Sequence, residues 1–170
     1  FARTSGEPGS PVGITAFLVP TDAPGFRVEF FWWTFNMPTD HAEVSLNGVR
    51  VPEDAVFGPV DDGLALAQHF VHENRIRQAA SSLGAAQYCI DEAVKYANMR
   101  VTWGKRLSLN QGIQFPLVEL HTEAAMLRWL IRYTADQLDR HEALAVTHLV
   151  AMCNYRANRL CCDAADRAMQ

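Results

Sequence analysis

From Gly63 onward the apolar residues Leu66, Phe70, Ile76, Ala79, Leu83, Ala86, Ile90 and Val94 recur mostly at steps of three and four, with no proline among them. That spacing predicts a single helix of about 35 residues. The acidic pair Asp61 and Asp62 at its entry and Arg100 near its exit suit the helix dipole, each worth about 0.3–1 kcal/mol where exposed.

Two further helical patterns follow. One runs from about Asn110 to Arg140, its stripe made of Ile113, Leu117, Leu120, Ala124, Leu127, Leu130, Ile131, Ala135 and Leu138. Pro116 opposes the early boundary, because it removes the hydrogen bond to Gly112 and crowds that carbonyl. Either the first turn is loose or regular geometry begins nearer Ile113. The third helix is expected from His141 or Glu142 to the end, with Leu144, Leu149, Cys153, Ala157, Leu160, Ala164 and Ala168 inward. Its many alanines predict close packing. Three antiparallel helices cover one another less fully than four, so a further helix or another subunit is expected to complete the bundle.

Upstream the period changes to that of strands. GITAFLVP at 13 to 20 reads as a strand closed by the turn sequence TDAPG, FRVEFFWW at 26 to 33 as a second, and AEVSLNGVRVP at 42 to 52 as a third. In the third, Val44, Leu46 and Val49 share a burial pattern broken near Asn47 and Gly48. The first 60 residues are therefore β and loop, and the fold class is α+β: a sheet segment, then an antiparallel helical bundle.

A chain of 170 residues that is 49% hydrophobic and 20% charged has the makings of a globular core. Its net charge of -4 argues against nucleic acid and anionic lipid as partners, so any bound anion must be gripped locally. Cys89, Cys153, Cys161 and Cys162 lack zinc or disulfide spacing and read as core fillers, with only one of the adjacent pair facing inward. The histidines show no ligand spacing with His41, and no metal site is expected. No 18-residue apolar run is present and no signal leader is visible, although both ends read as cut.

Between the first two helices stands RVTWGKRLSLNQGIQF, with Arg100, Lys105 and Arg106 gathered around Trp103 and Gly104. Such a loop suits a phosphate or pyrophosphate with the indole packed on a planar ligand or a neighbouring subunit. The plainer account is that cations collect where a helix ends. Gln111 and Gln114 lie on adjoining faces just beyond.

The order of GITAFLVPTDAPG, HAEVSLNGVRVPEDAVFG, LGAAQYCIDEAVKYANMR, VTWGKRLSLNQGIQFPLVEL and DRAMQ resembles the acyl-CoA dehydrogenases over essentially the whole chain. The joint pattern of a helix-ending arginine, an aromatic-Gly-Lys loop and a glutamine at 111 carries most of it. The resemblance implies that residues 1–60 end a β-barrel middle domain and that 61–170 form an incomplete C-terminal helical bundle. It further implies an FAD shared across a dimer interface, with Arg100, Thr102, Trp103 and Gln111 reaching a neighbouring subunit's cofactor and Gln170 opening another FAD-binding turn. VHENRIRQAASSLG resembles the helix bordering the acyl-CoA channel, which would set His72, Asn74 and Arg75 near the substrate. For Arg75 the alternative is a surface salt bridge to Glu73 or another acid.

The implied activity is oxidation of the α–β bond of an acyl-CoA thioester, in which a base removes a proton while flavin accepts hydride. Most family members place the base after a Gly-Gly turn, which would fall beyond residue 170. A minority place it where this chain has Asn74, which accepts no proton usefully at neutral pH, and Glu73 is rotated about 100° away. No catalytic residue is therefore assigned. The resemblance implies a homodimer or homotetramer, an electron-transfer partner, and a cytoplasmic home, or a mitochondrial or peroxisomal one in a eukaryote. Asp40 and His41 resemble a subgroup with a His-Ala-Glu-Val version of this strand, some members of which handle unusual or bulky acyl chains; acyl length is therefore open, as is oxidase against dehydrogenase. The contrasting expectation is a non-catalytic helical module whose Arg100 loop only fastens subunits.

Overall fold

The computed structural model describes residues 1–34 and 41–170. Asp40 of the Asp40–His41 pair lies outside them. The described chain divides into two compact units, Phe1–Gln68 and His69–Gln170.

In the first unit β1 (Ala2–Arg3), β2 (Ile14–Phe17) and β5 (Val56–Phe57) form an antiparallel sheet in the order β1-β2-β5. β3 (Phe26–Phe31) pairs with β4 (Ala42–Leu46) in a separate antiparallel pair. No closed barrel forms among the described residues. The burial expected for Val44 and Leu46 is not realised among the described residues: both are exposed, as are Val28, Phe30 and Phe31.

Asp61 also departs from expectation. The first turn of α1 (Gly63–Met99) holds no acid. Asp61 instead adopts a left-handed backbone with φ 66° and closes a ring of hydrogen bonds. Its N–H donates to Thr15 Oγ1 at 2.8 Å, the two threonine hydroxyls Thr15 and Thr4 pair at 2.6 Å, and Thr4 Oγ1 donates to Asp61 Oδ1 at 2.6 Å. Each hydroxyl has one proton, so the ring runs in one sense around. The hydrogen bonds from Thr4 and Ser5 hold the Asp61 carboxyl below the usual carboxylate range. Gly63 follows because a Cβ there would meet the Ala16 backbone nitrogen at 2.7 Å.

The second unit is the helical bundle. α2 spans Gln111–Arg140 and α3 spans Thr147–Met169. Arg128 of α2 reaches Gln87 of α1, whereas Ser82 Oγ donates to Asn158 Oδ1 at 2.8 Å and His72 meets Thr147. Successive helices are thus antiparallel, and α1 runs parallel to α3. Ala79, Ala86, Ala124 and Ala157 are fully buried in the core they share with Leu83, Ile90, Leu127 and Leu160, so the alanines do permit close approach.

Several stripe positions differ from the periodic reading. Phe70 and Val94 are exposed. Thr134, not Ala135, enters the core of the bundle, with its hydroxyl donating to Leu130 O at 2.8 Å and lying 3.2 Å from Cys153 Sγ, so the polar group is satisfied. Leu144 is exposed while Val146 and Val150 are buried. The cause is a 3-10 segment, Ala143–Val146, which delays α3 to Thr147 and winds at three residues per turn. α2 is regular from Gln111 rather than Ile113, because Asn110 Oδ1 caps it by accepting from Gly112 N at 2.9 Å. Pro116 is tolerated: the carbonyl it leaves unclaimed belongs to Gly112, an exposed residue. Cys161 is half-buried and Cys162 exposed, and burial pushes the Cys153 and Cys161 thiols up. Among the described residues no helix is long and apolar enough to cross a membrane.

Candidate functional site

The 100–110 connection is a built hairpin rather than a loop. Leu107 N donates to Arg100 O at 2.8 Å, and β6 (Val101–Thr102) pairs with β7 (Lys105–Arg106) through Val101↔Arg106 and Thr102↔Lys105. The two residues between have φ 48° at Trp103 and 76° at Gly104. Two positive φ values in a two-residue hairpin turn define type I′, whose twist matches its strands and which ordinarily takes Asn, Asp or Gly first. A bulky residue held left-handed costs about 1–2 kcal/mol, yet this one is a tryptophan that is 100% exposed. Burial of the indole within this chain does nothing to offset that strain.

Around the tip, Arg100, Lys105 and Arg106 are exposed, and none joins an ion pair among the described residues. Thr102 is half-buried. A 3-10 turn, Leu107–Leu109, then leads to the Asn110 cap. Gln111 is exposed at the first turn of α2. Gln114 is not available to a ligand in the same way, since its amide donates to Ser108 O at 2.7 Å and closes the connection.

Gln170 is brought to this same end of the bundle. It borders a cleft of about 520 Å³ with Ala97, Leu107, Gly112, Ile113 and Met169, drawn from the ends of all three helices. Its amide donates to Asp166 Oδ2 at 3.1 Å and accepts from Arg167 Nη1 at 3.0 Å. The hairpin residues Arg100, Thr102 and Trp103 stand outside this cleft. Tyr96 and Arg167, which line it too, have no signal in the sequence, since only the meeting of three helix ends makes them neighbours.

The second predicted group divides. His72 is 2% exposed and faces the α1–α3 seam. Its Nε2 lies 2.8 Å from Thr147 Oγ1, whose proton is committed to Leu144 O at 2.8 Å, so His72 Nε2 is the donor. Asn74 is exposed and its Oδ1 accepts from Arg77 Nη2 at 2.7 Å. Arg75 is half-buried and forms no ion pair with Glu73 or another acid among the described residues. Among the described residues no three His, Cys, Asp or Glu side chains are grouped to hold a metal.

Trp103→Asn is expected to relax the turn and raise stability by about 1 kcal/mol, a gain of several degrees in a thermal melt. A fall in the midpoint would show that the indole contributes to the fold of the chain itself.

Residues 61–170 match the family described as acyl-CoA dehydrogenase, C-terminal domain. Acyl-CoA dehydrogenase FadE12 of Mycobacterium tuberculosis is 30% identical over 154 residues, covering 91% of this chain and 40% of that protein. The caffeyl-CoA reductase-Etf complex subunit CarC of Acetobacterium woodii is 27% identical over 173 residues, covering 100% and 44%. The structure of glutaryl-coenzyme A dehydrogenase in its glutaryl-CoA complex superposes with a TM-score of 0.82 at 28% identity, covering 94% of this chain and 40% of that one. The chain thus spans about two fifths of the length of these relatives.

Proposed function

This chain belongs to the acyl-CoA dehydrogenase family, and on that footing we propose that it is part of an FAD-dependent enzyme oxidising the α–β bond of an acyl-CoA thioester. In this reading residues 1–60 end a middle β-domain and 61–170 supply most of a helical domain. The observation that carries the proposal is the hairpin: cations that join no ion pair among the described residues flank a strained, fully exposed indole. Such a tip fits a dinucleotide, because guanidinium and ammonium groups neutralise a diphosphate and an indole stacks on a planar ring.

Arg100, Thr102, Trp103 and Gln111 would hold the FAD of a neighbouring copy, and Gln170 would reach it from the adjoining cleft. Bound flavin supplies the hydride acceptor. On the substrate side, Asn74 and Arg75 would meet the acyl-CoA, while His72 fixes their turn from behind through Thr147. No carboxylate of this chain is assigned as the base. An electron-transfer partner is proposed by analogy with the relative named for its Etf complex. The proposed assembly is a homodimer or homotetramer, and the proposed location is the cytoplasm, or a mitochondrion or peroxisome in a eukaryote.

The test is made on the intact protein. It is expected to purify with flavin absorption bands that straight- or branched-chain acyl-CoAs bleach in the absence of oxygen. Protein that stays colourless after incubation with FAD would overturn the reading and favour a non-catalytic assembly module.

A further inference from the structure

We propose that Asn74, held in place by Arg77, selects acyl-CoA substrates whose acyl chain ends in a carboxylate over plain hydrocarbon chains of the same length. The selection rests on the placement of Asn74 beside the acyl-CoA proposed above. Arg77 has no part in that reading, and a single contact brings it in: Arg77 Nη2 donates to Asn74 Oδ1 at 2.7 Å. A guanidinium only donates, so the amide must turn its oxygen to Arg77 and its NH2 group the other way. Neither N–H of Asn74 Nδ2 meets an acceptor among the described residues. Asn74 is thus a donor of set orientation.

Charge favours an anion at those donors. From 70 to 78 the chain reads FVHENRIRQ, with Arg75 and Arg77 against the single acid Glu73. None of the three joins an ion pair among the described residues, so a local surplus of positive charge stands in a chain of net charge -4. The bond from Arg77 also polarises the amide, which strengthens Asn74 as a donor. A hydroxyl would use the donors but not the charge, whereas a carboxylate uses both.

The same side of α1 supplies an apolar neighbour. Phe70 and Asn74 are four residues apart and Asn74 and Arg77 three, so all three share one face. Phe70 is 62% exposed, one turn before the amide. An aromatic ring followed by a positively charged donor group matches an acyl chain with an apolar body and an anionic end. A methyl end at that point would cover the donors without satisfying them, which is how a site built for a hydrogen bond rejects the analogue lacking it.

The CoA moiety is itself anionic, so the test compares substrates that share it. With the intact protein, flavin bleaching in the absence of oxygen is followed for pairs of acyl-CoAs of equal carbon number, one ending in a carboxylate and one in a methyl group. At the preferred length kcat/KM is expected to be about tenfold or more higher for the carboxylate. Arg77→Met should bring that ratio close to one, chiefly through KM of the carboxylated member, and Arg77→Lys should recover part of it. Asn74→Leu should reverse the preference. Both positions are exposed, so these variants are expected to fold as the parent does. Equal kcat/KM within every pair, or a ratio that survives Arg77→Met, overturns the proposal. An equal fall for both members overturns it too, since Arg77 would then meet the CoA phosphates. Flavin that no member of any pair bleaches overturns the activity and the selection together, whereas bleaching by the plain acyl-CoAs alone overturns only the selection.

Discussion

Arg100→Ala in the intact protein is expected to weaken FAD retention about ten- to a hundredfold while leaving the fold unchanged. The first half follows from the strength of a hydrogen bond to a charged group, about 1.5–3 kcal/mol when one partner is removed. The second follows from geometry. Arg100 is exposed and makes no ion pair among the described residues, and its backbone, which donates to Tyr96 O at 2.8 Å, survives the substitution. Surface changes of this kind move stability by about 0.5 kcal/mol or less. Arg100→Lys should fall between, since it keeps the charge and loses the planar fork. Fluorescence titration of apoprotein with FAD reads the first effect and a thermal melt the second. Retention equal to the parent's would end the assignment of the hairpin, whereas a large loss of stability would mean that Arg100 serves the bundle.

How much of this was legible in the sequence depends on what kind of signal each feature leaves. The three helices were legible because their apolar steps repeat over many turns, and α1 in particular fills 63–99 as its spacing requires. The hairpin was not, since Trp103 stands where the turn chemistry calls for Asn or Gly, and only the backbone shows φ 48°. Thr134 was missed because a threonine reads as polar until its hydroxyl is seen bonded to Leu130 O. Leu144 was misplaced because a short 3-10 turn shifts the helical phase without changing composition. The inward facing of His72 turns on a threonine 75 residues away, a distance no local pattern spans. Val44 and Leu46 have the right alternation, but alternation states only that one face is apolar, not that this chain supplies its cover.

Leu160→Ala is expected to cost about 2–5 kcal/mol, the range for emptying a fully buried leucine site. Leu160 is 0% exposed and belongs to the cluster that also holds Ala86, Ile90, Leu120, Leu127 and Cys153, contributed by all three helices. Its neighbours include fully buried alanines, which have no longer side chain to swing into the void, so little collapse is available and the upper half of the range applies. Calorimetry should show a melting temperature lowered by roughly ten degrees or more at unchanged calorimetric cooperativity. The same variant separates scaffold from site. Below its melting range the hairpin keeps its own backbone bonds between Val101 and Arg106 and between Arg100 and Leu107, so FAD retention per folded molecule should stay near that of the parent. Flavin lost in step with Arg100→Ala at low temperature would mean that the hairpin takes its shape from the bundle core rather than from its own turn. A shift of less than about 1 kcal/mol would place Leu160 outside the cooperative core.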